Sequence, residues 1–457
     1  MKKSVKAMLS MMIACLLMVS TLAACGGSSA EQPATTQEQT SQDQAVQQTT
    51  AQTSDEPVTL RFSWWGGDTR HQATLDAIKA YMEQNKNVTI EGEYSGFSGY
   101  YQKLVTQLAS GTAPDVFQSD QGWTTEFYKR GNVFADLGQY SGIIKTDKLN
   151  TAMLNDYCVI DGKTVVLPLG YNGTVFLYNK DLMAPYLKDG KLELTWDEFI
   201  QIGKEMHQKD SNVYLTTNMT DAYIRFLLKP ILEQITNKIS VQDDYTLGFT
   251  KEDMTKTFEK ILEVFDSGAA QPYAESVIYK DSLIDNPKWA GGQIGGAFIF
   301  FSNIDKETHG LTQNFDVTSL PRFADAQTSG QESAPSLMIA INSESGSKDA
   351  AAKFVNWFLN DTGAAAVLKT ERGVPTNSDA LEVLKSNGTL SAIMAKAIDV
   401  SNATIGFKNG AIEMNASVHA IFVEKTEKVI YKKETPDQAA EELIKDLTAK
   451  LAEMKGQ

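Results

Sequence analysis

From residue 58 onward the apolar residues switch between two periodicities, and this alternation constrains the fold more than any other feature of the chain. Residues 58–64 and 88–94 alternate between apolar and polar, as half-buried strands do. Apolar residues recur at helical spacing over 75–82 and 101–108, and a third short strand follows at 115–118. Strand, helix, strand, helix, strand in this order predicts a parallel sheet with crossover helices, and therefore an α/β fold.

Local signals mark further elements along the chain. Thr195 and Glu198 have the spacing of a capping box, and Thr435 with Gln438 repeats it at the start of the last helix. Ser347 is predicted to cap a third helix. Short strands are predicted at 158–160, 165–169, 175–178, 297–301 and 337–341.

The first residues predict export. Three lysines precede an apolar stretch over 7–22, which is the layout of a secretory signal rather than of a folded element. The sequence Leu22-Ala23-Ala24-Cys25 resembles the bacterial lipobox, and this resemblance implies a signal peptide over 1–24 and a lipid on Cys25. An ordinary signal with a chance cysteine is the alternative. Two or more acyl chains suffice to anchor a protein to a membrane.

The segment 25–56 is predicted to be a flexible, lipid-anchored tether. It is rich in Ser, Thr, Gln and Ala and poor in large apolar residues, so it cannot bury enough surface to offset its ordering entropy. About 400 residues follow from Pro57, which is enough chain for two sizeable cores.

Charge and cysteine content exclude several classes of function. The formal net charge is −15, and removing the three lysines ahead of Cys25 leaves −18. Such a balance disfavours nucleic acid as a partner. Cys15 and Cys25 belong to the export segment, so Cys158 stands alone, and neither a disulfide framework nor a cysteine metal site is expected.

Catalytic signatures are missing from the sequence. The four histidines are scattered, without the His-Glu-x-x-His spacing of zinc proteases, and no Gly-x-Ser-x-Gly elbow, P-loop or EF-hand pattern is present. The glycine-rich run at 291–296 is interpreted as a tight turn, because no clear strand precedes it. We therefore expect neither an enzyme, nor a cofactor, nor a bound metal.

The order of segments resembles that of the family 1 extracellular solute-binding proteins of ABC importers, the group that includes maltose-binding proteins. The resemblance covers nearly everything after Pro57. Each motif alone is common, and their order and spacing together are specific. The segments that carry it are LRFSWWGGDTR (60–70), LASGTAPDVFQSDQGW (108–123), LPLGYNGTVFLYNKDL (167–182), TWDEF (195–199), AFIFFSNID (297–305) and ERGVPTN (371–377).

This resemblance implies a two-lobed, periplasmic-binding-protein-like fold of class II. Each lobe would be a mainly parallel sheet flanked by helices, with the ligand in the cleft between lobes that close by hinge motion. It also implies a monomer, held on the extracellular face of the cell membrane, whose partners are the ABC permease subunits. The implied lobes are 57–170 with 337–372 and 174–333 with 376–457, joined by three hinge crossings near 171–174, 333–337 and 373–376.

Loops that leave the predicted strands combine aromatic rings with planar polar groups around glycines, as a sugar site requires. Aromatic rings cover the apolar faces of a pyranose, while carboxylates, amides and arginines bind its hydroxyls. Ligands of open α/β sheets bind at the carboxyl ends of the strands. The candidate ligand-binding residues are Trp64, Trp65, Asp68, Arg70, Phe97, Asp120, Gln121, Trp123, Tyr171, Asn172, Phe298, Phe300, Phe301 and Arg372.

Roles can be assigned to part of this set. Asp68, Arg70 and Asp120 are predicted to bind hydroxyls. Adjacent residues of a strand face opposite ways, so at least one of the two neighbouring tryptophans is expected in the core. The three phenylalanines fit a core as well as a cleft. Stacking on the sugar is predicted for Trp65, Trp123, Tyr171 and one of Phe298, Phe300 and Phe301.

The sequence therefore predicts an exported lipoprotein that captures a small-molecule sugar, an oligosaccharide by the number of loop aromatics, and delivers it to an ABC importer. Few cations lie in the loops, which argues against a phosphorylated ligand. Two alternatives stay open: a secreted glycoside hydrolase with a carboxylate pair in the cleft, and an adhesive or sensory lipoprotein of the same fold.

Overall fold

Three short strands in the first third of the chain lie where the sequence pattern predicts them. The structure is a computed structural model, and it describes residues 56–131, 133–217, 224–279, 282–404, 406–410 and 412–456. The predicted signal peptide, Cys25 and nearly all of the tether lie outside the described residues. The strands are β1 Val58–Trp65, β2 Val88–Ser95, β3 Val116–Ser119, β4 Val159–Ile160, β5 Lys163–Thr164, β6 Leu167–Asn179, β7 Tyr214–Thr217, β8 Ile294–Phe300, β9 Phe315–Thr318 and β10 Ser333–Ile341.

Helices separate these strands and fill the last quarter of the chain. A π-helical turn, Ile224–Leu228, leads directly into α7. The helices are α1 Asp68–Gln84, α2 Phe97–Ala109, α3 Gln121–Arg130, α4 Thr151–Tyr157, α5 Lys180–Met183, α6 Trp196–Lys209, α7 Lys229–Thr236, α8 Lys251–Asp266, α9 Tyr273–Ser276, α10 Pro287–Ala290, α11 Ile304–Thr308, α12 Lys348–Asn360, α13 Thr362–Leu368, α14 Ser378–Ser386, α15 Ala392–Ala403, α16 Ala416–Ile430 and α17 Pro436–Lys455.

One sheet runs through the described body in the order β2-β1-β3-β10-β6-β8-β7, with β9 also paired to β6. The pairs β1–β2, β1–β3 and β7–β8 are parallel. The pairs of β10 with β3 and β6, and of β6 with β8 and β9, are antiparallel. The predicted α/β class is confirmed, and the parallel pairs lie towards the two ends of the sheet.

Strand β6 changes neighbours halfway along its length. Its first half, up to Gly173, pairs with β10, and its second half, from Thr174, pairs with β8. Tyr171 lies opposite Pro335 and also forms a bridge with Val374. The three predicted hinge crossings therefore lie side by side.

Two hydrophobic clusters fill the described body. One surrounds β1, β3 and β10 with α1 and α12, and the other is built by α6, α7, α8, α16 and α17. The first cluster also contains Trp289, Ile299 and Ile304, from the second predicted lobe. Hydrophobic packing thus continues along the shared sheet from the first predicted lobe into the second.

Short-range signals predicted helix starts well. The boxes Thr195–Glu198 and Thr435–Gln438 both form, with the hydroxyl accepting from the N3 backbone and the N3 side chain accepting from the cap backbone. Ser347 does precede α12, but its hydroxyl makes no cap bond. Its backbone, at φ −121° and ψ 39°, lacks the extended geometry that brings a cap hydroxyl over the first turn.

The glycine run at 291–296 is only partly the predicted turn. Gly292 turns with φ +73°, but β8 begins at Ile294, so Gly295 and Gly296 belong to the sheet. A Cβ at Gly296 would lie 2.5 Å from the ring of Phe176. These strand glycines therefore allow a close approach of side chains from β6.

Candidate functional site

A cavity of about 510 Å³ lies where β3 ends and α3 begins, next to the predicted crossings. Helix α3 forms one wall, and the segments entering β10 and α16 form the others. Asn172 of β6 and Phe300 at the end of β8 complete the lining. The lining residues are Asp120, Gln121, Gly122, Trp123, Glu126, Asn172, Phe300, Glu332, Ala334, Pro335, Ser336, Asn409, Met414 and Asn415.

Asp120 is held by the helix that it begins. It is the N-cap of α3, and its Oδ1 accepts from the backbone N–H of Gly122 at 2.9 Å. Burial raises the pKa of this carboxyl, while the backbone N–H groups of Gly122 and Gln121 lower it. The chain therefore fixes the carboxylate at the cavity wall before any ligand arrives.

Trp123 is the centre of an aromatic wall. Its ring lies 5.0 Å from Trp65, 5.1 Å from Tyr101 and 5.5 Å from Phe97, where the two planes are stacked at 23°. Phe97 is 58% exposed, so the wall reaches solvent. Exposed stacked rings of this kind offer flat apolar faces to a ligand.

Asn409 connects the parts of the cavity that come from distant stretches of chain. Its backbone carbonyl accepts from Gln121 Nε2 at 2.8 Å, and its backbone N–H donates to the Tyr157 hydroxyl at 3.0 Å. Its side-chain Nδ2 donates to Glu332 Oε1 at 2.9 Å. The bond from Gln121 joins residues that are 288 positions apart.

Asn172 lies at the point where β6 changes partners. Its Nδ2 donates to Ser302 Oγ at 2.8 Å, and its Oδ1 accepts from the backbone N–H groups of Ser302 and Gly173. Phe300 packs edge-on against Phe226 at 5.4 Å. These contacts fix the Asn172 amide and the Phe300 ring in the part of the cavity wall that β6 and β8 contribute.

Seven of the predicted residues come together. Asp120, Gln121, Trp123, Asn172 and Phe300 line the cavity. Trp65 and Phe97 support it through their contacts with Trp123.

Three predicted aromatics lie in the hydrophobic core and not on the cavity. Trp64 is wholly buried and stacks on Tyr94 at 5.1 Å, because the strand alternation turns it away from Trp65. Phe298 packs on Phe176, and Phe301 packs edge-on against Tyr171. All three are corrected from ligand contacts to core residues.

Tyr171 is also buried, which removes it from the stacking role. Its hydroxyl accepts from Asn402 Nδ2 at 3.1 Å, and burial raises its pKa to about 12. Its ring is only 2% exposed. This tyrosine stabilises the crossing region rather than the surface of the cavity.

The two predicted arginines bind protein groups instead of lining the cavity. Arg372 is buried, donates to the side chains of Thr74 and Gln118, and lies over the rings of two phenylalanines. Burial, helped by the charge of Arg70, lowers its pKa to about 9. Arg70 Nε donates to the carbonyl of Glu371 at 2.6 Å.

Asp68 is exposed in the first turn of α1 and does not line the cavity.

Nine lining residues were not predicted, and some had a sequence signal. Glu126 lies one helical turn beyond Gly122 and Trp123, so helical spacing could have placed it on the same face. Glu332 directly precedes a predicted crossing. Asn409 and Met414 lie in a segment between two helices, and the sequence analysis predicted no role in the site for this segment. Asn415 is the N-cap of α16, and the other unpredicted lining residues are Gly122, Ala334, Pro335 and Ser336.

A second cavity, of about 590 Å³, lies between α7, α8 and the segment 323–327. Phe323 is its single aromatic residue, and none of the predicted site residues lines it. It is slightly larger than the first cavity, but it lacks an aromatic wall. We therefore take the cavity beside Trp123 as the candidate site.

No group of three or more His, Cys, Asp and Glu side chains in the described ranges is placed to hold a metal ion. None of the helices in the described part of the chain has the length and apolar character needed to cross a bilayer.

Comparisons with known proteins give one family. The profile described as bacterial extracellular solute-binding protein matches residues 67–365. A binding protein of Brucella abortus (strain 2308) is 23% identical over 362 residues, covering 76% of this chain and 84% of the relative. A diacetylchitobiose binding protein of Streptomyces coelicolor is 33% identical over 129 residues, covering 28% of this chain and 29% of that one.

Solved structures share the fold. The periplasmic oligogalacturonide binding protein of Yersinia enterocolitica superposes with a TM-score of 0.76 at 22% identity. The match covers 87% of this chain and all of that chain (100%). At this identity the likeness establishes the architecture and not the ligand.

Proposed function

Because the chain belongs to the bacterial extracellular solute-binding proteins, we propose that it captures an oligosaccharide in the cavity beside Trp123 and delivers it to an ABC importer. The proposed ligand contacts are revised from those predicted. They are Phe97, Asp120, Gln121, Trp123, Glu126, Asn172, Phe300 and Asn409, and Trp65 is buried behind Trp123.

One observation carries the proposal. The stacked rings of Trp123 and Phe97 lie beside the carboxylate of Asp120 and the amide of Gln121. A pyranose needs both kinds of group, because its C–H faces are apolar and its rim is made of hydroxyls. Charged and planar acceptors bind hydroxyls strongly when they are fixed in advance, as Asp120 is by its backbone hydrogen bond.

One relative supports an oligosaccharide over a single sugar. The Streptomyces protein is named for a disaccharide. A cavity of about 510 Å³ is within the usual size for small-molecule sites. The aromatic wall continues past it to Phe97, which offers a place for a further sugar unit.

Ligand capture would involve two lobes, 57–170 with 337–372 and 174–333 with 376–457. The three crossings lie side by side at the change of partner in β6, which is a suitable place for a hinge. Tight packing around Gly173, Gly373 and Gly170 would restrict the motion to a defined rotation.

The experiment that tests sugar binding is a thermal-shift screen of the full-length chain against mono- and oligosaccharides, followed by titration calorimetry of Trp123→Ala. We expect one sugar class to raise the melting temperature, since a ligand that binds only the folded state stabilises it. Trp123→Ala should weaken binding about tenfold, equivalent to ~1.4 kcal/mol, and Trp123→Phe should restore most of the loss.

Tyr431→Ala is the control, because it removes an exposed ring that is not part of the cavity lining. Equal affinities for wild type and Trp123→Ala would reject the site. Release of reducing ends during the screen would instead favour the glycoside hydrolase. The absence of any shift would favour a non-carbohydrate solute first, and then the adhesive or sensory role.

Membrane anchoring through Cys25 is a separate part of the proposal. The resemblance of Leu22 to Cys25 to a lipobox supports it, and the acidic, Ser/Thr/Gln-rich segment that follows would hold the domain away from the headgroups. Cys25→Ser should move the protein from the membrane fraction to the medium, measured by detergent-phase partition. Retention of the variant in the detergent phase would contradict a lipid on this residue.

A further inference from the structure

We propose that the cavity selects neutral or positively charged sugars and rejects sugars that carry carboxylates. This rests on the proposed function and adds the ligand's charge class to it. The lining contains three carboxylates, those of Asp120, Glu126 and Glu332. Among the described residues that line it there is no lysine, arginine or histidine.

Two cations near the cavity are paired with protein carboxylates. Arg130 binds Glu126 with 2.5 Å between its Nη2 and Oε1. Lys229, behind the segment that carries Asn409, lies 2.7 Å from Glu413 and 3.1 Å from a second carboxylate on α7. Neither one offers a spare positive charge, since each is matched by at least one carboxylate.

Arg70 and Arg372 do not add positive charge to the cavity lining. Arg372 is buried against Thr74 and Gln118, and Arg70 is bound to the backbone of Glu371. A bidentate arginine is the usual protein partner of a ligand carboxylate. In the described residues no arginine reaches the cavity lining.

The negative charge of the lining should make uronates bind more weakly than neutral or amino sugars. A uronate entering the cavity would lose hydration and lie near carboxylates of the same sign, which is unfavourable. Hydroxyl, amide N–H and ammonium groups would instead donate to those carboxylates, and bonds to an ionised acceptor are the stronger kind. The ligand class of this chain therefore differs from that of the Yersinia protein, whose name specifies oligogalacturonide.

Asp120 and Glu126 are the specificity-determining residues of this selection. Asn caps a helix as well as Asp does, so Asp120→Asn removes the charge and keeps α3. Glu126→Gln keeps an acceptor for the Tyr101 hydroxyl. Glu382→Gln is the matched control, because it removes one exposed charge from α14, outside the cavity lining.

The test is titration calorimetry of the full-length chain with neutral oligosaccharides, glucosamine oligomers and digalacturonic acid at one pH and ionic strength. We expect the tightest neutral or amino sugar to bind at least 100-fold more tightly than digalacturonic acid. Asp120→Asn with Glu126→Gln should narrow that ratio about tenfold, and Glu382→Gln should leave it unchanged.

The outcomes separate the two proposals. Digalacturonic acid binding as tightly as the best neutral sugar would overturn the charge selection and leave sugar binding intact. An unchanged ratio in the double variant would overturn the assignment to Asp120 and Glu126. If no sugar of any charge binds, the proposed function fails, and the selection fails with it.

Discussion

Lys229 is a buried cation that lies between two carboxylates, behind the segment that lines the cavity. Its Nζ lies 2.7 Å from Glu413 Oε2 and 3.1 Å from Glu233 Oε1. Glu413 also accepts from the Ser240 hydroxyl and from the backbone N–H of Gly410. The cluster therefore fixes the backbone next to Asn409, and with it one wall of the site.

One positive charge cannot neutralise two buried negative ones, so one carboxyl of the cluster keeps its proton. Burial raises the pKa of Glu233 to about 8, against the lowering effect of Lys229. Burial alone would lower the pKa of Lys229, but Glu233 and Glu413 raise it further than burial lowers it. Near neutral pH, Glu233 is thus the protonated member.

Glu233→Gln should remove a pH dependence of stability. A carboxyl whose folded pKa lies above its unfolded value binds more protons folded than unfolded, so stability falls as pH rises from about 4.5 to about 8. The wild type should lose up to about 1.4 kcal/mol per pH unit in that window, and Glu233→Gln should not. Urea unfolding at pH 5, 7 and 8.5 measures the difference.

Glu413→Gln is the comparison for that prediction. It removes the carboxylate closest to Lys229, and breaking a buried pair from one side typically costs about 3–5 kcal/mol. It should therefore destabilise the chain at every pH tested. Parallel pH profiles for the wild type and Glu233→Gln would show that Glu233 is ionised throughout, contrary to the prediction.

At the scale of elements, local signals predicted what local interactions decide. Each capping box involves residues three positions apart, so Thr195 and Thr435 could be recognised from sequence. Alternation predicted that at least one of the two neighbouring tryptophans is core, but both are buried, Trp64 against helix α1 and Tyr94 and Trp65 against Tyr100 and Trp123. That packing is tertiary and leaves no local pattern.

In the candidate site too, the residues that follow a predicted strand were predicted, and those brought in by tertiary contacts were not. Asp120, Gln121 and Trp123 follow directly after a predicted strand, where α/β sheets place their ligands, and they were predicted. Asn409 was not, because it reaches the site from 288 positions beyond Gln121 in the chain. Arg372 was predicted for the site because its segment resembles a crossing, yet a guanidinium packed on Phe62 and Phe358 serves the core.

At the scale of the whole molecule, the three crossings are packed with little free space. Gly373 has φ +91°, and a Cβ there would lie 2.4 Å from Ser336 Oγ. A Cβ at Gly173 would lie 2.1 Å from Ser401 Oγ. A Cβ at Gly170 would lie 2.3 Å from the backbone carbonyl of Arg372, so glycine here lets two crossings approach closely, and a rotation between lobes would be concentrated there.

The bond from Gln121 Nε2 to the carbonyl of Asn409 joins the two proposed lobes directly across the cleft. A hydrogen bond of this kind contributes about 1 kcal/mol net. Gln121→Ala should therefore shift the unliganded chain about fivefold towards more open forms. Small-angle scattering without ligand should show a larger radius of gyration, with unchanged unfolding in urea because the contact is not part of either core.

Gln139→Ala is the matched control, since its amide makes one exposed contact, with Asp136 at 3.5 Å, and neither residue lines the cavity. An unchanged radius for Gln121→Ala would mean that other contacts hold the lobes together. At saturating ligand, we expect both variants and the wild type to have the same radius of gyration. A ligand that contacts both walls would hold the two proposed lobes together in place of the lost hydrogen bond. A radius of Gln121→Ala that stays larger at saturation would place Gln121 in the closed state itself, as a contact that the ligand cannot replace.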